Sequence, residues 1–386
     1  MDLIYFDNSA TTKMSKRALD KMCEVSIESF GNPSSLHSIG LDAEKRLTRA
    51  REVILKSLGV LRFTRGELIF TSGGTESNNI AILGSVFAKK RKGNEKILTT
   101  SGEHASVEGP LAYLEKMGYN IVRVPTKGGA LDLDFIKENA SGAILASFMH
   151  VNNETGALYD IKSAFDIVRE KSPEAVLHTD CVQSYLKVDF TKKSLGADLI
   201  SISSHKVNGP KGVGALYVSP EIIKAKKISP LFYGGGQEEG LRSGTENLYS
   251  ICAFAEAVSE HMEKKSENEK ISELRAYIAE GVSKIEGISV NQPAKNAPHI
   301  LNVTIFGIRS ETMLHFLSRE GIYVSSGSAC ASNAPKKSSL ALESFGLDPK
   351  AIDSSIRISL SSENTKEEAD KLFSALERAI KMLVKR

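Results

Sequence analysis

Cysteine is scarce in this 386-residue chain: four residues, at 23, 181, 252 and 330, with no Cys-x-x-Cys pair among them. That spacing argues against a disulfide scaffold and a structural zinc site, so no metal is expected and each thiol is judged by its own surroundings. No apolar run approaches membrane-spanning length, and Met1-Asp-Leu-Ile-Tyr-Phe-Asp7 holds no basic stretch ahead of a hydrophobic core. A soluble, cytoplasmic protein with no membrane partner is therefore expected. Charge of one sign is lacking too: 50 basic and 47 acidic residues leave a net charge of +3. The short basic clusters Lys89-Lys-Arg-Lys92 and Lys224-Ala-Lys-Lys227 have no interleaved aromatic residues and read as solvated helix ends, so no direct contact with nucleic acid is expected. Internal repeats and low-complexity tracts are absent.

What the chain does have is 41% hydrophobic and 25% charged residues, enough for two packed cores. Between Glu67 and Val218, short β-branched runs alternate with helical patterns. The runs are Glu67–Thr71, Lys96–Thr100, Asn120–Val124, Ala143–Phe148, Ala175–Thr179 and Leu199–Ser203, with a further run after Gly212. Near-continuous apolar strands separated by helices predict an α/β domain with a mostly parallel sheet covered on both faces. A helical pattern from about 246 to 285 is interrupted by charges at 263–270, and the domain boundary is placed inside it. The expected division is residues 1–258 for the large domain and 259–386 for a smaller α+β domain. Within the latter, the pattern predicts strands at 300–306 and 323–325 and helices at 310–320 and 365–384.

Parallel sheets place ligands at the carboxyl ends of their strands, where the polar segments of this chain fall. Lys206 ends an apolar run beside a Gly/Pro turn, a position where desolvation can make its amine nucleophilic toward a carbonyl cofactor. A structural strand-end lysine is the alternative. The turn Thr71-Ser-Gly-Gly74-Thr75 can bring free amides and the Thr75 hydroxyl to a phosphate, or serve only as a helix cap. Asp180 lies at another strand end, suited to the protonated ring nitrogen of pyridoxal 5'-phosphate or to helix capping. Ser203 and His205 flank Lys206 and can reach the same phosphate. His104 can stack on a planar cofactor and exchange protons, although a structural role is the commoner one for a lone histidine. Asn153, in Asn152-Asn-Glu-Thr-Gly156, offers an amide, and Arg357 can pair bidentately with a substrate carboxylate. Cys330 stands in Ser325-Ser-Gly-Ser-Ala-Cys-Ala-Ser332, without large apolar neighbours, and reads as an exposed loop nucleophile. Cys23, Cys181 and Cys252 read as core filling.

Taken in order, these segments resemble the cysteine desulfurases of the class V aminotransferase group. The resemblance covers nearly the whole chain. It is carried by Asp7-Asn-Ser-Ala-Thr-Thr12, Phe30-Gly-Asn-Pro-Ser-Ser-Leu-His37, Thr71-Ser-Gly-Gly-Thr-Glu-Ser77, Glu103-His104, Asn152-Asn-Glu-Thr-Gly156, His178-x-Asp180-x-x-Gln183, His205-Lys206-x-x-Gly-Pro-Lys-Gly212, Gly234-Gly-Gly-Gln237, Arg242-Ser-Gly-Thr-Glu-Asn247 and Ser325-Ser-Gly-Ser-Ala-Cys330. It implies the fold type I arrangement for pyridoxal 5'-phosphate, with a seven-stranded large-domain sheet and the first ~14 residues as an arm at the active site.

The same resemblance implies the following roles. Lys206 holds the cofactor covalently, His104 stacks on its ring, Asp180 pairs with the ring nitrogen and Gln183 contacts the phenolic oxygen. Gly74, Thr75, Ser203 and His205 surround the phosphate, and Thr245 reaches the phosphate of the other subunit of a homodimer. Asn153 lies beside the cofactor and, with Arg357, fixes the carboxylate of L-cysteine. Cys330 accepts the sulfur as a persulfide, as in the long-loop subgroup, and passes it to an acceptor protein such as an iron-sulfur scaffold or a tRNA-thiolation enzyme. Selenocysteine lyase, another class V enzyme and a non-catalytic sulfur carrier or scaffold are the alternatives. The departures from the pattern are Cys181, where alanine is common, and Ser361-Ser362, where a glycine is common.

Overall fold

The computed structural model describes residues 3–384 apart from 65, 94, 265 and 327–338. The chain begins with a short strand, Ile4–Tyr5 (β1), and enters a large sheet through Leu68–Thr71 (β2), Lys96–Thr100 (β3), Asn120–Val124 (β4), Ala143–Met149 (β5), Val176–Asp180 (β6), Leu199–Ser203 (β7) and Gly214–Val218 (β8). These seven strands lie in the order β2-β8-β7-β6-β5-β3-β4. All run parallel except β8, which is antiparallel to both neighbours. The exception follows from chain length: only ten residues join β7 to β8, too few for the crossover that a parallel neighbour needs.

Because side chains alternate across a strand, each run feeds two cores at once. Phe70, Leu98, Ala146, Leu177, Ile200 and Tyr217 enter one, while Ile69, Ile97, Leu145, Val176, Leu199 and Leu216 enter the other. Both sides of the sheet are therefore dry, which is why the runs read as continuously apolar rather than alternating.

The helical pattern after residue 246 resolves into Leu248–Glu263 and Glu267–Ser283, broken at the charged segment. Beyond it lie Ile288–Val290 (β9), Ile300–Ile305 (β10), Ile322–Tyr323 (β11), Ser325–Ser326 (β12) and Ser355–Ser359 (β13). Strands β12-β13-β10-β9 form an antiparallel sheet, packed with the helices Glu267–Ser283, Ser310–Arg319 and Lys366–Leu383 around a separate core. The single strand expected at 323–325 is instead two, in different sheets. The chain changes partners at Val324, whose side chain turns into that core between them.

Ile4 and Phe6 also belong to this second core, because β1 pairs in parallel with β11. The amino-terminal arm thus starts on the smaller lobe and runs through the Asp7–Ser359 bridge toward the edge of the large sheet. No helix among the described residues is long and apolar enough to cross a membrane.

Candidate active site

Strand β7 ends in one 3-10 turn, Ser204–Lys206, which lifts the lysine off the carboxyl edge of the sheet. Its amine donates to the main-chain carbonyls of Ser9 at 2.6 Å and Ala10 at 2.8 Å, both in the amino-terminal arm. The Ser9 carbonyl also accepts from the Gln183 side-chain amide at 2.9 Å. Asp180 ends β6, the strand next to β7, with Asp180 in register with Ser201. One of its oxygens accepts from the Val182 amide at 2.9 Å and the other from the Asn78 side chain at 2.8 Å.

The turn after β2 brings a third element to this edge. Gly73 has φ of +152°, a conformation that side chains disfavour. A Cβ on Gly74 would sit 2.7 Å from Val182 Cγ2, so only glycine lets the helix start this close to Asp180. Thr75 is exposed at this helix start. The Ser203 hydroxyl and the Gln183 side-chain oxygen are buried with no hydrogen-bond partner among the described residues. His205 places Nδ1 3.2 Å from the Thr11 hydroxyl, and burial, helped by Lys206, Lys211 and Lys187, pushes its pKa down to about 4.

His104 caps the helix Ala105–Lys116, its Nδ1 accepting from the Ser106 amide at 3.1 Å and lying 2.8 Å from the Ser106 hydroxyl. Burial lowers its pKa; the charge of Asp180 opposes this, and those of Lys206 and Arg357 reinforce it. Hydrogen bonds tie His104 to Asp180: Asn78 bonds both Asp180 and Ser106, and Ser106 contacts the His104 ring. The preceding Glu103 accepts from the Thr100 hydroxyl at 2.8 Å and the Met149 amide at 2.9 Å, and burial raises its pKa to about 8.

Arg357 comes from the centre of β13 in the smaller lobe and is only 5% exposed. Its guanidinium donates to the Asn153 carbonyl at 2.8 Å and to Asp7 at 2.8 Å, so large lobe, small lobe and arm meet on one side chain. The structure brings Lys206, Asp180, His104, Gln183, Ser203, His205, Gly74, Asn153 and Arg357 to this junction. Thr245 is exposed in the segment that Arg242 ties to Glu76 at 2.8 Å, and makes no hydrogen bond to the cluster among the described residues. Cys330 lies outside the described residues.

Cys181 and Cys252 are buried as expected, and burial raises the Cys181 thiol to about 12. Cys23 is exposed, on the solvent side of the helix Lys16–Glu28, whose buried residues are Ala18 and Val25. Sequence reasoning passed over the Ser9 and Ala10 carbonyls, Asp7, Asn78 and Ser106. Main-chain carbonyls carry no sequence signal. Asn78 stands just ahead of the apolar run Ile80-Ala-Ile-Leu83, and its burial and its partners Asp180 and Ser106 appear only in the folded chain.

A family model described as aminotransferase class V matches residues 4–372. A cysteine desulfurase IscS of Clostridium botulinum is 38% identical over 98% of this chain and 94% of its own length. One of Dictyoglomus turgidum is 39% identical over 98% and 95%. A solved NifS-like protein superposes with a TM-score of 0.91 at 34% identity, covering 99% of this chain and 100% of that one. The chain therefore belongs to the class V aminotransferase family, in its cysteine desulfurase branch.

Proposed function

We propose that this protein is a pyridoxal 5'-phosphate-dependent cysteine desulfurase, converting L-cysteine to L-alanine and passing the sulfur through Cys330 to an acceptor protein. The observation that carries the reading is the convergence of the Lys206 amine, the Asp180 carboxylate and the His104 ring at the carboxyl ends of β7, β6 and β3, with Asp180 and His104 linked through Asn78 and Ser106. A carboxylate, an amine and an imidazole gathered at this edge match the three demands of that cofactor: a ring-nitrogen partner, an anchor and a stacking face. The fit extends to unmet bonds. The Ser203 hydroxyl and the Gln183 oxygen are buried with no partner among the described residues, and Gly73 and Gly74 keep the adjoining turn free of side-chain bulk.

When bound, the cofactor supplies an electron sink for the pair released at the substrate α carbon. Lys206 anchors it and, once released, moves a proton at that carbon. Asp180 holds the ring nitrogen protonated, His104 covers the ring and excludes water, and Gln183 and Asn153 approach its polar edge. Gly74, Thr75, Ser203 and His205 hold the phosphate, joined by Thr245 from the second subunit of a homodimer. Arg357 and Asn153 fix the carboxylate of cysteine.

The Cys330 thiolate attacks the substrate sulfur: an S–S bond forms as the substrate C–S bond breaks. The electron pair stays with the carbon, which gains a proton and becomes the methyl group of alanine. In this reading the smaller domain, residues 259–386, bears Cys330 and receives the sulfur acceptor, and the enzyme works in the cytoplasm. The test is to add pyridoxal 5'-phosphate to the apoprotein and follow alanine and sulfide formed from cysteine. Uptake of the cofactor with equal amounts of both products in the presence of a thiol is expected; a protein that takes up no cofactor would end the reading.

A further inference from the structure

One side chain joins the two groups on which the proposed cofactor depends. Asn78 is fully buried in the helix that begins at Gly74, and its Nδ2 lies 2.8 Å from Asp180 Oδ2 and 2.8 Å from Ser106 Oγ. An amide nitrogen carries two hydrogens, and here each has an acceptor. The reverse orientation of the amide would set an oxygen against a carboxylate, which fixes the direction of both bonds. Ser106 Oγ, having accepted from Asn78, lies 2.8 Å from His104 Nδ1 and has its own hydrogen left to give. The Ser106 main-chain amide donates to the same Nδ1 at 3.1 Å. With two donors on Nδ1, the proton of the neutral ring belongs on Nε2.

We propose that Asn78 is a positioning residue for the reaction, aiming the Asp180 carboxylate at the cofactor ring while holding His104, through Ser106, in its Nε2-protonated tautomer. The inference rests on the cofactor reading above. Asp180 Oδ1 is occupied by the Val182 amide and Oδ2 by Asn78, so the carboxylate cannot rotate without breaking one of these bonds. Its remaining lone pairs then face one fixed direction. Protonating His104 at Nδ1 would set an N–H against the Ser106 amide and force the Ser106 hydroxyl to turn. Asn78, by holding one lone pair of that oxygen, leaves the hydroxyl hydrogen a single alternative direction, away from the ring. The charges that act on His104 are those of Asp180, Lys206 and Arg357; replacing Asn78 by an uncharged residue leaves all three in place.

The test pairs Asn78→Leu, close in shape but without donors, with Ser106→Ala. Nitrogen-15 spectra of histidine-labelled apoprotein read the His104 tautomer and its titration, and cofactor titration reads the affinity. In the parent, His104 is expected as the Nε2–H form, titrating below a free imidazole. In Asn78→Leu the titration moves upward, and pyridoxal 5'-phosphate binds about tenfold or more weakly, as expected for a lost bond to a charged group. Ser106→Ala shifts His104 but changes cofactor affinity much less, because Asn78 still holds Asp180. Parental His104 spectra and parental affinity in Asn78→Leu would overturn the proposal, even with a lowered melting temperature. A parent that binds no cofactor would end the functional reading instead, while the His104 spectra of the apoprotein would still decide the tautomer.

Discussion

The Lys206 amine lies 2.6 Å from the carbonyl oxygen of Ser9, a residue almost two hundred positions earlier in the chain. Ser9 follows a strand that belongs to the smaller lobe, whereas Lys206 follows a strand of the larger one. The amine is thus held where two lobes and the arm between them converge, and the arm forms a wall of the site. Arg357 repeats the pattern by joining Asp7 of the arm to Asn153 of the large lobe.

Lys206→Ala should abolish covalent capture of the cofactor. Borohydride reduction of the loaded parent should fix pyridoxyl label on the Lys206 peptide, with none on the variant. Turnover of cysteine should fall by at least about 10²–10⁴-fold, the usual contribution of a positioned proton-transfer group. Label on the variant at another lysine would contradict the assignment.

Arg357→Lys should separate substrate binding from cofactor binding. Lysine cannot reproduce the two-pronged guanidinium contact, and losing a charge-assisted bond costs about 1.5–3 kcal/mol. A fall in kcat/KM for cysteine of about ten- to a hundredfold is expected, with unchanged cofactor uptake. Steady-state kinetics over a range of cysteine concentrations, beside cofactor titration, would check both.

Glu103 makes a prediction about pH. Its folded pKa of about 8 stands above the usual 4.5 because burial penalises the carboxylate. The neutral form is therefore favoured in the folded state. Its contribution to stability is complete below about pH 4.5 and is lost as pH rises to about 8. Glu103→Gln keeps an acceptor for the Met149 amide and cannot ionise. Urea unfolding at pH 5 and pH 9 should show the variant gaining on the parent at the higher pH; equal differences at both would refute the burial argument.

Gly281 offers a test of packing in the smaller lobe. A Cβ there would collide with the Phe373 ring, where the helices Glu267–Ser283 and Lys366–Leu383 touch. Gly281→Ala should destabilise the protein by about 1–3 kcal/mol through overpacking, despite alanine's better helix propensity. Chemical denaturation would measure it, and a gain in stability would mean that the helices are free to separate.

The strands of the large sheet were legible because both faces are buried and each run stays apolar throughout. The placement of Lys206, Asp180 and His104 at one edge of the sheet was legible for the same reason: each is a polar residue at or just beyond the end of an apolar run. The smaller lobe was harder to read. Its strands β11 and β12 have two residues each, too short for a period to register, and β1 is completed only by a partner more than three hundred residues away. Asn78 went unread because its meaning lies in two acceptors from different segments, Asp180 and Ser106, which only the fold brings within reach.

The central claim is that sulfur leaves cysteine onto Cys330, and a single turnover tests it most directly. The cofactor-loaded protein is mixed with one equivalent of cysteine without added thiol, alanine is quantified, and the Cys330 peptide is weighed. One alanine per active site, with one extra sulfur on Cys330 and none on Cys23, Cys181 or Cys252, is the predicted result. Alanine released at the parental rate by Cys330→Ser under the same conditions would contradict it.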